Sequence, residues 1–150
     1  MILNGVKFFR SMDKGIAAKK FIELIEIVEK LRGPDGCPWD KEQTHHSLLQ
    51  YFLEETYEVI ESVDEKNWSL LKEELGDVLL HIVLQAQIAK ETNKFDISKS
   101  LETINNKLIK RHPHVFGDKN INASVNAKQN WEEIKHKEKK KKIPNRWYSS

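Results

Sequence analysis

Apolar residues recur at three- and four-residue steps along most of the chain, the period that gives an α-helix one continuous apolar face. In residues 16–31, IAAKKFIELIEIVEKL, the face holds Phe21, Leu24, Ile25, Val28 and Leu31. RGPDGCPWD then breaks the pattern with two glycines and two prolines. A second helix is expected from near Thr44 to about Val63, with Leu49, Phe52, Thr56, Val59, Ile60 and Val63 as its core stripe. A third is expected from about Ser69 to Glu91, with Leu71, Leu75, Val78, Leu79, Ile82, Val83 and Ala86 facing the core. Only the polar turn DEKN separates these two helices, so they should pack as antiparallel neighbours. A fourth helix is expected from about Ile97 to Arg111, where Pro113 and Gly117 stop it, and a fifth from Ala123 to about Lys141, carrying Trp131. No segment reads as a strand. The pattern predicts an all-α helical bundle of about five helices.

Charge is distributed unevenly over this framework. The formal net charge is only +2, but from Asp40 to Asp77 eleven acids face three bases, and from Lys107 to Arg146 twelve bases face four acids. One acidic and one basic surface on a small domain suit a metal plus a polyanion; the plainer alternative is two solvated faces that partly neutralise each other. With 150 residues the chain is long enough for one domain with its own core. Cys37 is the only cysteine, which fits a reducing, cytoplasmic setting. No apolar run is long enough to span a membrane, and the opening MILNGVKFFRSMDKG lacks the features of a signal peptide.

The acids are concentrated where helix stability gains least from them. From Thr44 to Glu65 there is no lysine or arginine, and Glu54/Glu58, Glu61/Glu65 and Glu73/Asp77 are like-charge pairs four residues apart. Each such pair is unfavourable by a few tenths of a kcal/mol, roughly. Glu55 and Glu58 are neighbours on one face of the second helix, and Glu74 and Asp77 on one face of the third. Both pairs lie beside the apolar stripe, so antiparallel packing can gather four carboxylates around one point. Gly76, between the second pair, is expected to allow close approach. Hard oxygen ligands select magnesium or manganese over zinc. A di-iron centre would need Glu-x-x-His on the helices of the site, but that motif occurs only at Glu42/His45 and Glu133/His136. His81, one turn beyond Asp77, is the one histidine placed to reach the carboxylates, or else an ordinary polar helix residue.

EETYE followed by EELGD resembles the Glu-Glu-x-x-Glu … Glu-x-x-Asp signature of the MazG family of nucleoside triphosphate pyrophosphohydrolases. GCPWDKEQTHHSL before it, NKLIKRHPHVFGD after it and NWEEIKHKEK near the end agree in order. The resemblance covers about residues 20–140, leaving residues 1–19 as an N-terminal extension and residues 141–150 as a basic tail. It implies an α-helical fold that forms a homodimer or higher oligomer. It also implies magnesium-dependent cleavage between the α- and β-phosphates, yielding a nucleoside monophosphate and pyrophosphate. By position, Glu55, Glu58, Glu74 and Asp77 would be the magnesium ligands, with manganese able to substitute. Many relatives carry two MazG repeats; here there is one, and CPWD and RHPHVFGD resemble the first repeat of the two-repeat form.

Glu54, outside the ligand set, is the candidate to orient or deprotonate water, beside Glu55 and Glu58 in the catalytic group; alternatively it is an ordinary exposed glutamate. Lys107, Lys110 and Arg111 form a basic face suited to phosphate, or they simply favour a helix C-terminus. Trp39 is a candidate to stack on a base, and Asp40 to hydrogen-bond base or sugar; otherwise Trp39 fills the core and Asp40 caps the next helix. The expected partners are nucleoside triphosphates and further copies of the chain, with no membrane. The lysine-rich KHKEKKKKIPNR lacks a base-reading motif, which argues against sequence-specific nucleic-acid binding. The alternative to an enzyme is a regulatory nucleotide-binding protein of the same fold with little turnover.

Overall fold

The computed structural model describes residues 13–117, 131–132 and 134–136. Among them there is no strand, and residues 13–117 form the helices α1 (Lys14–Arg32), α2 (Pro38–Glu42), α3 (Leu49–Asp64), α4 (Trp68–Glu91), α5 (Ile97–Arg111) and α6 (Pro113–Phe116). The all-α expectation holds, and the third and fourth expected helices match α4 and α5 closely. The fifth expected helix, from Ala123, lies largely outside the described residues; 131–132 and 134–136 are helical. Two differences are local. The Gly/Pro segment contains the short helix α2, started by Pro38 at a position where its missing N–H costs nothing. The second expected helix starts five residues late, at Leu49, because Thr44 and Ser47 bond side chain to backbone in both directions and close a turn instead.

The chain divides into two units, residues 1–97 and 98–150. In the first, α3 packs mainly on α4, while α1 packs on α4 and on α2. The α3–α4 connection is set by capping. Lys66 adopts the left-handed backbone (φ 56°), and the Asn67 amide donates back to the Ser62 carbonyl at 2.9 Å. This closes α3 with a Schellman turn. Asn67 then caps α4, its side chain accepting from the Leu70 amide at 3.2 Å. The same motif ends α4, with Asn93 at φ 54° and the Lys94 amide bonded to the Ala89 carbonyl at 2.9 Å.

Val28, Leu48, Val83, Leu84 and Ile88 form the core, with Phe21, Leu24, Ile25, Tyr51 and Leu80 packed around them. This corrects the expected stripes. On α3, Leu49, Ile60 and Val63 are about half exposed and Ser62 is the buried residue. On α4, Leu75, Leu79 and Ile82 are open, while Leu84, Ile88 and Ala89 are buried. Periodicity finds an apolar face but cannot say which part of it a neighbouring helix covers.

Two glycines carry opposite constraints. A Cβ at Gly36 would lie 2.1 Å from the Leu31 carbonyl oxygen, so the loop after α1 closes only without a side chain. At Gly76 a Cβ would meet nothing within 4 Å, so the expected close approach does not occur within the described chain.

These features give two stability predictions. Asn67→Ala loses a helix cap and should destabilise by about 1 kcal/mol in denaturant unfolding. Gly36→Ala should cost about 1–3 kcal/mol through overpacking, whereas Gly76→Ala should gain about 1 kcal/mol from helix propensity. A destabilised Gly76→Ala would show that something outside the described chain packs at that position.

Candidate functional site

The capped turn fixes what faces what. Glu58 and Glu74 lie eight residues before and after Lys66, and Glu55 and Asp77 lie eleven before and after it. In an antiparallel pair, residues equidistant from the turn come opposite one another. One carboxylate oxygen from each of Glu55, Glu58 and Glu74 lies within 4.8 Å of the others. Asp77 is outside that tight group, yet close enough that its charge raises the pKa of both Glu55 and Glu74. Of the four expected ligands, the structure gathers three tightly and holds the fourth within electrostatic reach.

The cluster is strained electrostatically. Glu74 is buried at 6% exposure, and Glu55 is half-buried. Desolvation pushes the carboxyl groups of Glu55 and Glu74 above the ordinary glutamate value of 4.5, and the neighbouring carboxylates push them further. Glu58, close to both, is among the neighbours that raise them. A cation would relieve the same repulsion. The donor set consists of hard carboxylate oxygens, so these residues fit magnesium or manganese.

His81 lines the cluster. It is 7% exposed, stacks on Phe52 with ring centroids 5.9 Å apart, and brings Nε2 to 4.0 Å from Glu55. Burial lowers its pKa, opposed by the charge of Asp77, so the imidazole is held towards the neutral form. Its Nδ1 is buried with no hydrogen-bond partner among the described residues. The i+4 spacing from Asp77 identified His81 from the sequence, but nothing there indicated that Phe52 would stack on it.

Glu54 is exposed on the α3 turn that carries Glu55, and its charge contributes to raising Glu55. Trp39 lies in α2 at 52% exposure, so it does not fill the core. It meets Tyr51 edge-on, with ring centroids 6.1 Å apart and planes at 70°. Tyr51 is one helical turn before Glu55 on α3. Asp40 lies within α2, and the cap position of α3 is Leu48, so Asp40 does not cap that helix.

Lys107, Lys110 and Arg111 lie on α5, whose residues from Ser98 onward belong to the second unit. Within that unit the Arg111 guanidinium lies 4.8 Å from the centre of the Trp131 ring, and His112 packs against Trp131 and His114. His112 and His114 therefore share the corner with Arg111. Sequence reasoning missed Arg32 entirely. Its guanidinium binds Glu91 and the carbonyls of Asp40 and Gln43, and a partner 59 residues away leaves no local signal.

Residues 43–116 match the sequence profile of the MazG nucleotide pyrophosphohydrolase domain. The chain is 56% identical over 126 residues to the nucleoside triphosphate pyrophosphohydrolase/pyrophosphatase MazG of Thermotoga maritima, an alignment covering 84% of this chain and 48% of that protein. It is 43% identical over 120 residues to the nucleoside triphosphate pyrophosphohydrolase of Escherichia coli K12, covering 79% of this chain and 46% of that one. The chain thus spans about half the length of these curated relatives. Its fold matches the crystal structure of a mazG-related protein from Thermotoga maritima with a TM-score of 0.61 and 27% identity, covering 79% of this chain and 98% of that one. Profile, relatives, fold and the carboxylate pairs on α3 and α4 agree: the chain belongs to the MazG family.

Proposed function

We propose that this chain is a cytoplasmic, magnesium-dependent nucleoside triphosphate pyrophosphohydrolase that cleaves ribo- or deoxyribonucleoside triphosphates between the α- and β-phosphates, clearing unwanted nucleotides from the pool. The observation that carries the proposal is the gathering of Glu55, Glu58 and Glu74 within 4.8 Å, with the charge of Asp77 and a neutral-leaning His81 beside them. Glu55, Glu58, Glu74 and Asp77 would hold the cation, with manganese able to replace magnesium. When bound, that cation neutralises the polyphosphate and withdraws charge from it.

The chain's own groups do the rest. Glu54 orients a water towards the α-phosphorus and accepts a proton from it; the bond to the bridging oxygen breaks and pyrophosphate leaves. The resemblance also offers Lys107, Lys110 and Arg111 on α5 as cations suited to phosphate oxygens. Trp39 and Asp40 take the nucleoside, Trp39 with its exposed ring. The apolar residues left open on α3 (Leu49, Leu53, Tyr57, Ile60) and α4 (Leu75, Leu79, Ile82) support assembly into a homodimer or higher homo-oligomer. Among the described residues, no helix is long and apolar enough to cross a membrane.

Two measurements test this function. Product analysis with common nucleoside triphosphates should give monophosphate plus pyrophosphate in magnesium and nothing in EDTA. Glu58→Gln should lower the rate by at least about a hundredfold. Diphosphate plus phosphate would mean the wrong bond, and magnesium-dependent nucleotide binding without turnover would favour a regulatory role.

The second measurement is thermal stability against pH. Because the folded-state pKa values of Glu55 and Glu74 are raised, the folded chain binds more protons than the unfolded one just above pH 4.5. Metal-free stability from these groups therefore falls as pH rises through that window. Glu91 acts oppositely: its hydrogen bond with Arg32 lowers its pKa, so its contribution is lost as pH drops below 4.5. Magnesium should raise the melting temperature at neutral pH and flatten the upper slope alone. An identical profile with magnesium and with EDTA would exclude a cation at this cluster.

A further inference from the structure

Arg32 ends α1 with a side chain only 5% exposed. Its Nε and one terminal nitrogen donate to the two carboxylate oxygens of Glu91 at 2.9 and 2.8 Å. The other terminal nitrogen donates to the carbonyl of Asp40 and, at 3.2 Å, to that of Gln43. Glu91 also accepts from Gln87 at 3.0 Å, and the pairing holds its carboxyl group below the usual range. The Asp40 and Gln43 carbonyls lie at the C-terminal end of α2, where the Asp40 carbonyl also accepts from the Gln43 amide at 3.3 Å. One planar cation therefore fastens the end of α2 to the end of α4.

Trp39 is next to Asp40 in that helix, and its own carbonyl accepts from the Gln43 side chain at 3.0 Å. Its ring stands edge-on to Tyr51, one turn from Glu55. The aromatic ring that remains half exposed is thus held at a set place relative to the carboxylates by a residue that reaches neither.

We propose that Arg32, clamped by Glu91, is a positioning residue for base recognition: it fixes α2 so that Trp39 presents its ring to the nucleobase of a triphosphate held at the carboxylate cluster. This rests on the triphosphate site proposed above. Arginine is required because a single flat fork must satisfy a carboxylate and two carbonyls in different directions, which a lysine ammonium cannot do with the same geometry.

The test compares binding of a nucleoside triphosphate with binding of inorganic tripolyphosphate, which has the charge but no base. Calorimetry is run in magnesium on the full chain, and thermal melts check that each variant is folded. The wild type should prefer the nucleoside triphosphate by about tenfold or more, the scale of one base–aromatic stack. Arg32→Lys should lose most of that preference with tripolyphosphate affinity unchanged. Trp39→Ala should lose the same amount, and the double variant no more than either alone. If Arg32→Lys does not fold, Glu91→Gln decides: it keeps the bonds to α2 and weakens their anchor, so it should lose part of the preference.

Retained preference in a folded Arg32→Lys, or equal weakening for both ligands, overturns the positioning role. No magnesium-dependent binding of either ligand by the wild type overturns the triphosphate site itself, and this inference with it.

Discussion

The register between α3 and α4 is the constraint on which the candidate site depends. It is set by three residues, Glu65 to Asn67, in which one left-handed residue ends a helix and the next side chain begins another. Residues equally distant from Lys66 meet across the pair, and at two such distances both residues are acidic. A different number of residues in the turn would rotate one helix against the other, and a shift of one position turns a side chain by about 100° around the axis. The carboxylates would then separate towards solvent.

This arrangement brings together groups that repel, in a place only partly open to water. Glu74 is buried and Glu55 half-buried, and each is pushed towards its protonated form. A fold selected for stability alone would place lysine nearby. The cost is met by packing elsewhere in the first unit. Val28 on α1, Leu48 before α3, and Val83, Leu84 and Ile88 on α4 form a small apolar centre. Arg32 and Glu91 tie the ends of α1 and α4, and Lys90 pairs with Glu29 alongside. The carboxylates occupy one part of the α3–α4 pair, and the core and its ion pairs another.

Much of this was legible along the chain. The helix pattern located α4 and α5 to within a residue, because long periodic segments bounded by strong cap and stop signals leave little choice. The acidic pairs stood out because no lysine or arginine follows them at helical spacing. The start of α3 was misread, because reciprocal Thr44–Ser47 bonds form a turn where the apolar pattern suggested helix. The core stripes were only partly right. Leu49 and Ile60 have the correct period, yet they face outward, and Leu48, next to Leu49, is completely buried.

The sequence by itself determined the helical class, the antiparallel pairing of α3 with α4 and the face on which each acidic pair lies, because all three follow from local period and turn length. Only the tertiary structure decided which apolar residues are covered, that Asp77 stands outside the tight group of three glutamates, that Phe52 stacks on His81, and that Arg32 binds Glu91 and the end of α2. These are contacts between separate helices, with Arg32 and Glu91 59 residues apart. Their geometry depends on how whole helices pack, and helical period along one segment carries no information about that.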